Sequence, residues 1–367
     1  MELAEIRPFE PQMAEIDLFT MPDAVGVGEP SVRKVKPYIS GHVTDGSSTF
    51  TFKVNNVDVT VPVDANGDWK YKPTAAITSL AFVGVPQLES LELNKITGVS
   101  TFNLDYPVVP VFKKCDATTE AALDYVYHIR GTATENFSFS LKYITGGIRT
   151  EVTENAVVDE NGKWDISYSG KKINDLGSTF LDNTKIVSIE FTDPLDELTT
   201  LYKAFTNCSS LTSLKGFGES KFNKVSSMAN TFQGCKITQV DMHNAELKAL
   251  TNFNYTFYNA NAIEILDLSN VQFDSVTTAT STFPYMNSLT DLYVPNNSEW
   301  DYELYFKQSP LTYESMLRIA GWLKDLTDGT AQTVTFRKAT YDALTAEQQA
   351  ALTAIIVTEK GWNLATA

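Results

Sequence analysis

The chain has 367 residues, 45 of them acidic and 29 basic, for a formal net charge of −16. That length suggests two or three domains, and a hydrophobic content of 43% excludes gross disorder. The acidic excess excludes nucleic-acid binding as a main activity, since that affinity comes from Lys and Arg. No run reaches the ~18 consecutive apolar residues of a membrane helix, so membrane insertion is not expected.

The opening, MELAEIRPFEPQMAEIDLF, has neither the basic start nor the apolar core of a secretory signal. Apolar residues alternate with acidic ones, and Pro8, Pro11, Pro22 and Pro30 forbid a long helix. Large apolar side chains are costly to leave in water. Residues 1–36 are therefore expected to be an extended docking segment that orders on a partner through Ile6, Phe9, Met13, Ile16 and Phe19. The alternative is a strap on the chain's own first β module.

Residues 37–110 and 125–175 read as two copies of one small β-sandwich module. YISGHVTD, TFTFKV and VDANGDWKY in the first correspond to HIRGTATE, FSFSLKY and VDENGKWDIS in the second, with Trp69 and Trp164 in register. Phe50 and Phe52, then Phe137 and Phe139, alternate as strand residues do. Asn66-Gly67 and Asn161-Gly162 predict tight turns with both positions left-handed. The nearby Asp64, Asp68, Asp159 and Asp165 fit turn chemistry better than calcium. Each module carries one repeat-like turn: Phe82 before Leu88, Leu91 and Leu93, and Phe180 before Ile186, Ile189 and Phe191. Residues 111–124 read as a linker.

Over 176–300 an apolar pattern repeats. Leu211, Ile237, Ile263 and Leu289 are each 26 residues apart, with further apolar residues three and five positions on in most copies. Phe180, Phe205, Phe232, Phe257 and Phe283 precede the starts, and Leu198, Val225, Leu250 and Val276 lie seven residues before the last four. These spacings predict a short strand and a helical turn per copy, stacked so that each covers the next. Residues 301–367 should close the stack. A helix is predicted over 311–326, a strand over 332–336, a capping box at Thr345–Gln348 opening a last helix, and a final strand in GWNLATA.

No catalytic set stands out. Cys115, Cys208 and Cys235 have no metal or disulfide spacing, and His42, His128 and His243 do not cluster. Asp193, Asp196 and Glu197 read as a solvated loop, and no cofactor or metal is expected. Sixteen tyrosines and five tryptophans could stack on glycans, without indicating which are exposed.

Several motifs resemble known families. Val225, Met228, Phe232 and Cys235, with Phe205, Cys208 and Leu211, resemble the 26-residue leucine-rich repeats of bacterial surface proteins. The D-x-N-G-x-W turns resemble bacterial immunoglobulin-like repeats of adhesins and phage appendages. The C-terminal segment is similar to caps of leucine-rich proteins in gut Bacteroidales and their phages, and the whole resembles virion appendage proteins of crAss-like phages. This implies a mixed α/β multidomain chain: two Ig-like β-sandwich modules, a leucine-rich-repeat solenoid and an α/β cap. It implies a non-enzymatic virion structural protein, a head fibre or similar projection assembled in the host cytoplasm. Its implied partners are other virion proteins (a capsid or fibre-base protein) bound through the N-terminal segment, further copies of itself in a homo-oligomer, and a host-surface glycan or protein. The alternative implied by the repeats is a bacterial cell-surface adhesin.

Overall fold

Alternation dictates the first strands: in TFTFKV, Phe50, Phe52 and Val54 are buried and the residues between them exposed. The computed structural model describes residues 36–218, 220–296 and 300–367. The first module comprises β1 (Tyr38–Val43), β2 (Thr49–Val54), β3 (Val57–Pro62), β4 (Asp68–Tyr71), β5 (Ser79–Phe82), β6 (Leu88–Asn94), β7 (Thr101–Asp105) and β8 (Pro110–Lys113). One sheet runs β4-β1-β6-β8; the facing strands run β3-β2-β5-β7. Trp69 lies inside this sandwich, 4.8 Å from the Phe50 ring and 5.3 Å from Phe52.

A five-residue helix, α1 (Ala117–Ala121), is capped by the Asp116 carboxylate, which accepts from Thr119 N. The second module then repeats the plan with β9 (Leu123–Ala133), β10 (Phe137–Thr145), β11 (Ile148–Ala156), β12 (Lys163–Tyr168), β13 (Lys172–Asp175) and β14 (Ile186–Phe191). β9 pairs with β12 and β14 as β1 does with β4 and β6. β10 pairs with β11 and β13 as β2 does with β3 and β5. The triads expected as repeat-like turns, Leu88-Leu91-Leu93 and Ile186-Ile189-Phe191, are thus sandwich strands in both copies.

Two local devices recur. Asp64 Oδ1 accepts from Asn66 N and Asp68 N at 2.8 and 2.9 Å, and Asp159 Oδ1 accepts from Asn161 N and Lys163 N at the same distances. The Asp side chain closes each turn, so only Gly67 and Gly162 adopt positive φ, not the asparagines. Gly41 and Gly131 occupy equivalent strand positions where a Cβ would lie 2.2 Å from Ser90 O and 1.9 Å from Ser188 O. Only glycine permits that approach.

The two modules share a strand. The first four residues of β9 pair in parallel with β7, from Phe102↔Leu123 to Asp105↔Val126, and the remainder joins β12 and β14. Residues 111–124, expected as a linker, hold the end of β8, α1 and the start of β9.

Beyond β14 the chain forms a column of stacked turns. Short parallel strands make one seam: β15 (Ser213–Lys215) on β14, then β16 (Gln239–Asp241), β17 (Ile265–Asp267) and β18 (Asp291–Tyr293) on one another. Single parallel bridges, Thr200↔Ser227, Ser227↔Asn252 and Asn252↔Thr278, make a second. Through the middle runs a file of phenylalanines. Phe180, Phe205, Phe232, Phe257 and Phe283 stack at 5.7, 5.7, 5.5 and 6.0 Å with planes within 11°. Phe139 of β10 covers its start at 4.9 Å.

The expected helical turns are absent from this column, and the backbone shows why. Ser178, Lys203, Asn230, Tyr255 and Ser281, each two residues before a phenylalanine, have φ between 52° and 60°. Asp182, Asn207, Gly234, Asn259 and Tyr285, two residues after, have φ between 56° and 70°. Left-handed residues at this spacing cannot continue an α-helix. Backbone N–H groups instead alternate in direction. Leu201, Lys203, Phe205 and Asn207 donate to Ser227, Ala229, Thr231 and Gln233 of the next turn, while Ala204, Thr206 and Cys208 donate three residues back. Every such group is satisfied without a helix. Apolar residues three, four and seven apart all face the core because successive tight turns return them there. The expectation of a mixed α/β chain with a leucine-rich-repeat solenoid is therefore corrected: the chain is mostly β, 35% strand against 10% helix, in several sheets.

Most of the helix lies after the column. β19 (Leu304–Phe306), β20 (Thr333–Phe336) and β21 (Asn363–Thr366) form a parallel sheet, connected through α2 (Tyr313–Trp322), α3 (Lys338–Asp342) and α4 (Ala346–Thr353). Thr345 and Gln348 make the reciprocal capping box. Phe306 and Phe336 extend the aromatic file, with Phe306 5.3 Å from Phe283. Buried Trp300 and Trp322 pack at 4.4 Å beside it. Residues Pro37–Ala367 form one compact unit.

Candidate binding surface

Each column turn presents its outward residues just beside the buried phenylalanine. Near the cap those residues are tyrosines. Tyr258 follows Phe257, and its ring meets Tyr255 at 5.7 Å and Tyr285 at 5.2 Å, edge to face in both cases. Tyr302, Glu303 and Tyr305 face them across a groove of about 450 Å³, and Thr280, Ser281 and Thr282 also line it. This lies within the ~300–1,000 Å³ range of small-molecule sites. Tyr302 is fixed in place: its ring packs 5.5 Å from Trp300, and its hydroxyl donates to Val276 O at 3.0 Å. Tyr285 is 44% exposed and Glu303 is exposed. Burial, followed by the neighbouring Tyr285, holds the Tyr258 phenol above its usual pKa, so it stays protonated and can donate.

Tyr285 also sits on an unfavourable backbone. Its position two residues after the phenylalanine is held by Asp182, Asn207, Gly234 and Asn259 in the preceding turns, types that accept the left-handed region readily. Tyr285 takes the same conformation, φ 64°, at a cost of about 1–2 kcal/mol.

A second polar cluster lies where the modules join. His128 of β9 contacts Asp105 of β7 through Nε2 at 3.4 Å and Asp165 of β12 through Nδ1 at 2.8 Å. Hydrogen bonds to Asp105 and then Asp165 push its pKa up to about 9, so it is cationic at neutral pH. Tyr106, Tyr125, Tyr127 and Tyr168 pack around this junction. Asp105 Oδ2 also accepts from Gly84 N, so these carboxylates have structural duties.

The docking residues Ile6, Phe9, Met13, Ile16 and Phe19 lie outside the described residues. The acidic trio is not a uniformly solvated loop. Asp193 is buried and accepts from Tyr168 Oη at 2.8 Å and Leu195 N at 3.1 Å, while Glu197 pairs with Lys224. Cys208 and Cys235 are buried, and their thiols donate to Phe180 O and Phe205 O of the preceding turns. Burial raises the Cys235 pKa well above the usual thiol value. Among the described residues, no three His, Cys, Asp or Glu side chains converge on a metal position, and no helix is long and apolar enough to cross a membrane.

No protein-family model matches the chain, and searches of curated proteins and of solved structures also find no match. The groove residues Tyr258, Tyr285, Tyr302, Glu303 and Tyr305 were not individually legible in the sequence. The usable signal was a tyrosine two residues after a column phenylalanine, where the other copies carry Asp, Asn or Gly.

Proposed function

We propose that the chain is a non-enzymatic virion structural protein, a head fibre or comparable surface projection. It attaches through its N-terminal segment to other virion proteins and presents its column of turns for binding. The observation that carries this reading is the continuous aromatic file from Phe139 through the column to Phe336. A core closed from module to cap favours a fixed scaffold for display over an element that must open and close around a substrate. The exposed tyrosines beside that file supply a surface suited to contact. Resemblance of the turns and repeats to appendage proteins supports the placement on a particle.

The test is mass spectrometry of purified phage particles beside outer-membrane fractions of uninfected host cells. Stoichiometric recovery with particles, lost on deleting residues 1–36 from a variant that still folds, is the expected result. Recovery only from uninfected membranes would replace this reading with a cell-surface adhesin.

A further inference from the structure

We propose that the groove between the last column turns and the cap binds a neutral glycan, with sugar rings packed against Tyr285 and Tyr258. This rests on the display reading and adds the chemical class of its ligand. Three observations carry it. The walls are tyrosine rings with exposed surface, which match the C–H faces of pyranose rings while their hydroxyls and those of Thr280 and Ser281 suit sugar hydroxyls. No Lys or Arg lines the groove and Glu303 does, so a sulfated, phosphorylated or uronic ligand would meet a carboxylate without a countercharge. Tyr285 occupies a left-handed position that Asp, Asn or Gly fills in the preceding turns, a backbone cost borne where the ring is most exposed.

Two other ligand classes fit less well. A quaternary-ammonium cage needs several ring faces around one point, whereas Tyr258 meets Tyr285 by an edge and Tyr302 packs on Trp300. A polyproline segment wants apolar ridges between aromatic walls, and here hydroxyl-bearing Thr280, Ser281 and Thr282 lie between them.

The experiment applies the full chain to a printed array of neutral microbial and plant oligosaccharides, with chondroitin sulfate, polygalacturonate, choline-conjugate and decaproline spots as comparators. Binding to neutral glycans is expected. Tyr285→Ala should weaken it at least tenfold, and Glu303→Gln should weaken it several-fold by removing an acceptor. Tyr202→Ala, which removes an exposed tyrosine elsewhere on the column, should leave it unchanged. Circular dichroism confirms that each variant folds. Failure to bind any neutral glycan, capture only by comparator spots, tighter binding by Glu303→Gln, or indifference to Tyr285→Ala would each overturn the proposal. Particle recovery is scored separately. Loss of glycan binding with recovery intact removes the site alone, whereas absence from particles removes the display reading.

Discussion

Phe232→Ala tests the column most directly. The ring is fully buried, lies 5.7 Å from Phe205 and 5.5 Å from Phe257 with planes within 10° and 6°, and meets the edge of Phe217 at 6.3 Å. Burial of such a side chain contributes about 1.5–3 kcal/mol, and each aromatic pair adds about 0.5–1.5 kcal/mol. The cavity cannot readily close, because Phe205 N donates to Thr231 O and Phe232 N to Thr256 O, which fix the turn spacing on both sides. The expected loss is therefore about 3–5 kcal/mol. Urea denaturation of the full chain, followed by far-UV circular dichroism, measures it through the midpoint at constant slope. Tyr202→Ala, at an exposed position, should stay within about 0.5 kcal/mol of the parent. A loss below about 1 kcal/mol for Phe232→Ala would mean that the file of rings does not hold the column together.

The junction should be pH-sensitive. His128 has its pKa raised from the usual 6.5 to about 9, so its contribution is complete below pH 6.5 and is lost as pH rises through 9. The full shift corresponds to about 3 kcal/mol at about 1.4 per unit, and because Asp165 is half in water about half of that is expected. His128→Gln should flatten stability between pH 6.5 and 9; an unchanged slope would show that the cluster is not the source. Gly131→Ala should cost at least about 1–3 kcal/mol, because its methyl would lie 1.9 Å from Ser188 O. Gly321→Ala, in α2 with open space around it, should instead stabilise by up to about 1 kcal/mol. Thermal melts of the pair should move in opposite directions. Glu246, held down to about 2 by Lys221 and then Lys248, should titrate at a higher pH in Lys221→Ala when followed by NMR.

Strand alternation was legible wherever one face meets a core, as in TFTFKV and FSFSLKY, and so was the capping chemistry of Thr345–Gln348. The duplication was legible through Trp69 and Trp164, because a buried indole and its Asx-closed turn depend on local residue types. The column's backbone was not. Apolar residues at three, four and seven satisfy both a helix and a succession of tight turns, and only left-handed residues such as Lys203 and Tyr255 distinguish them. Those types do not advertise positive φ as glycine does. The β7–β9 pairing was hidden as well, since a parallel register between strands 21 residues apart leaves no local pattern. The groove depends on which tyrosines the turns carry outward, so it inherited that ambiguity.

Successive column phenylalanines are separated by 25, 27, 25 and 26 residues along the chain, yet their rings stack within 5.5–6.0 Å. Length varies at the outer corners while hydrogen bonds count whole turns. Insertions and deletions of a residue are thus filtered out before they reach the interior. Such a lineage can remodel its rim freely while inheriting its spine unchanged, which suits a molecule whose exterior must keep pace with a changing target.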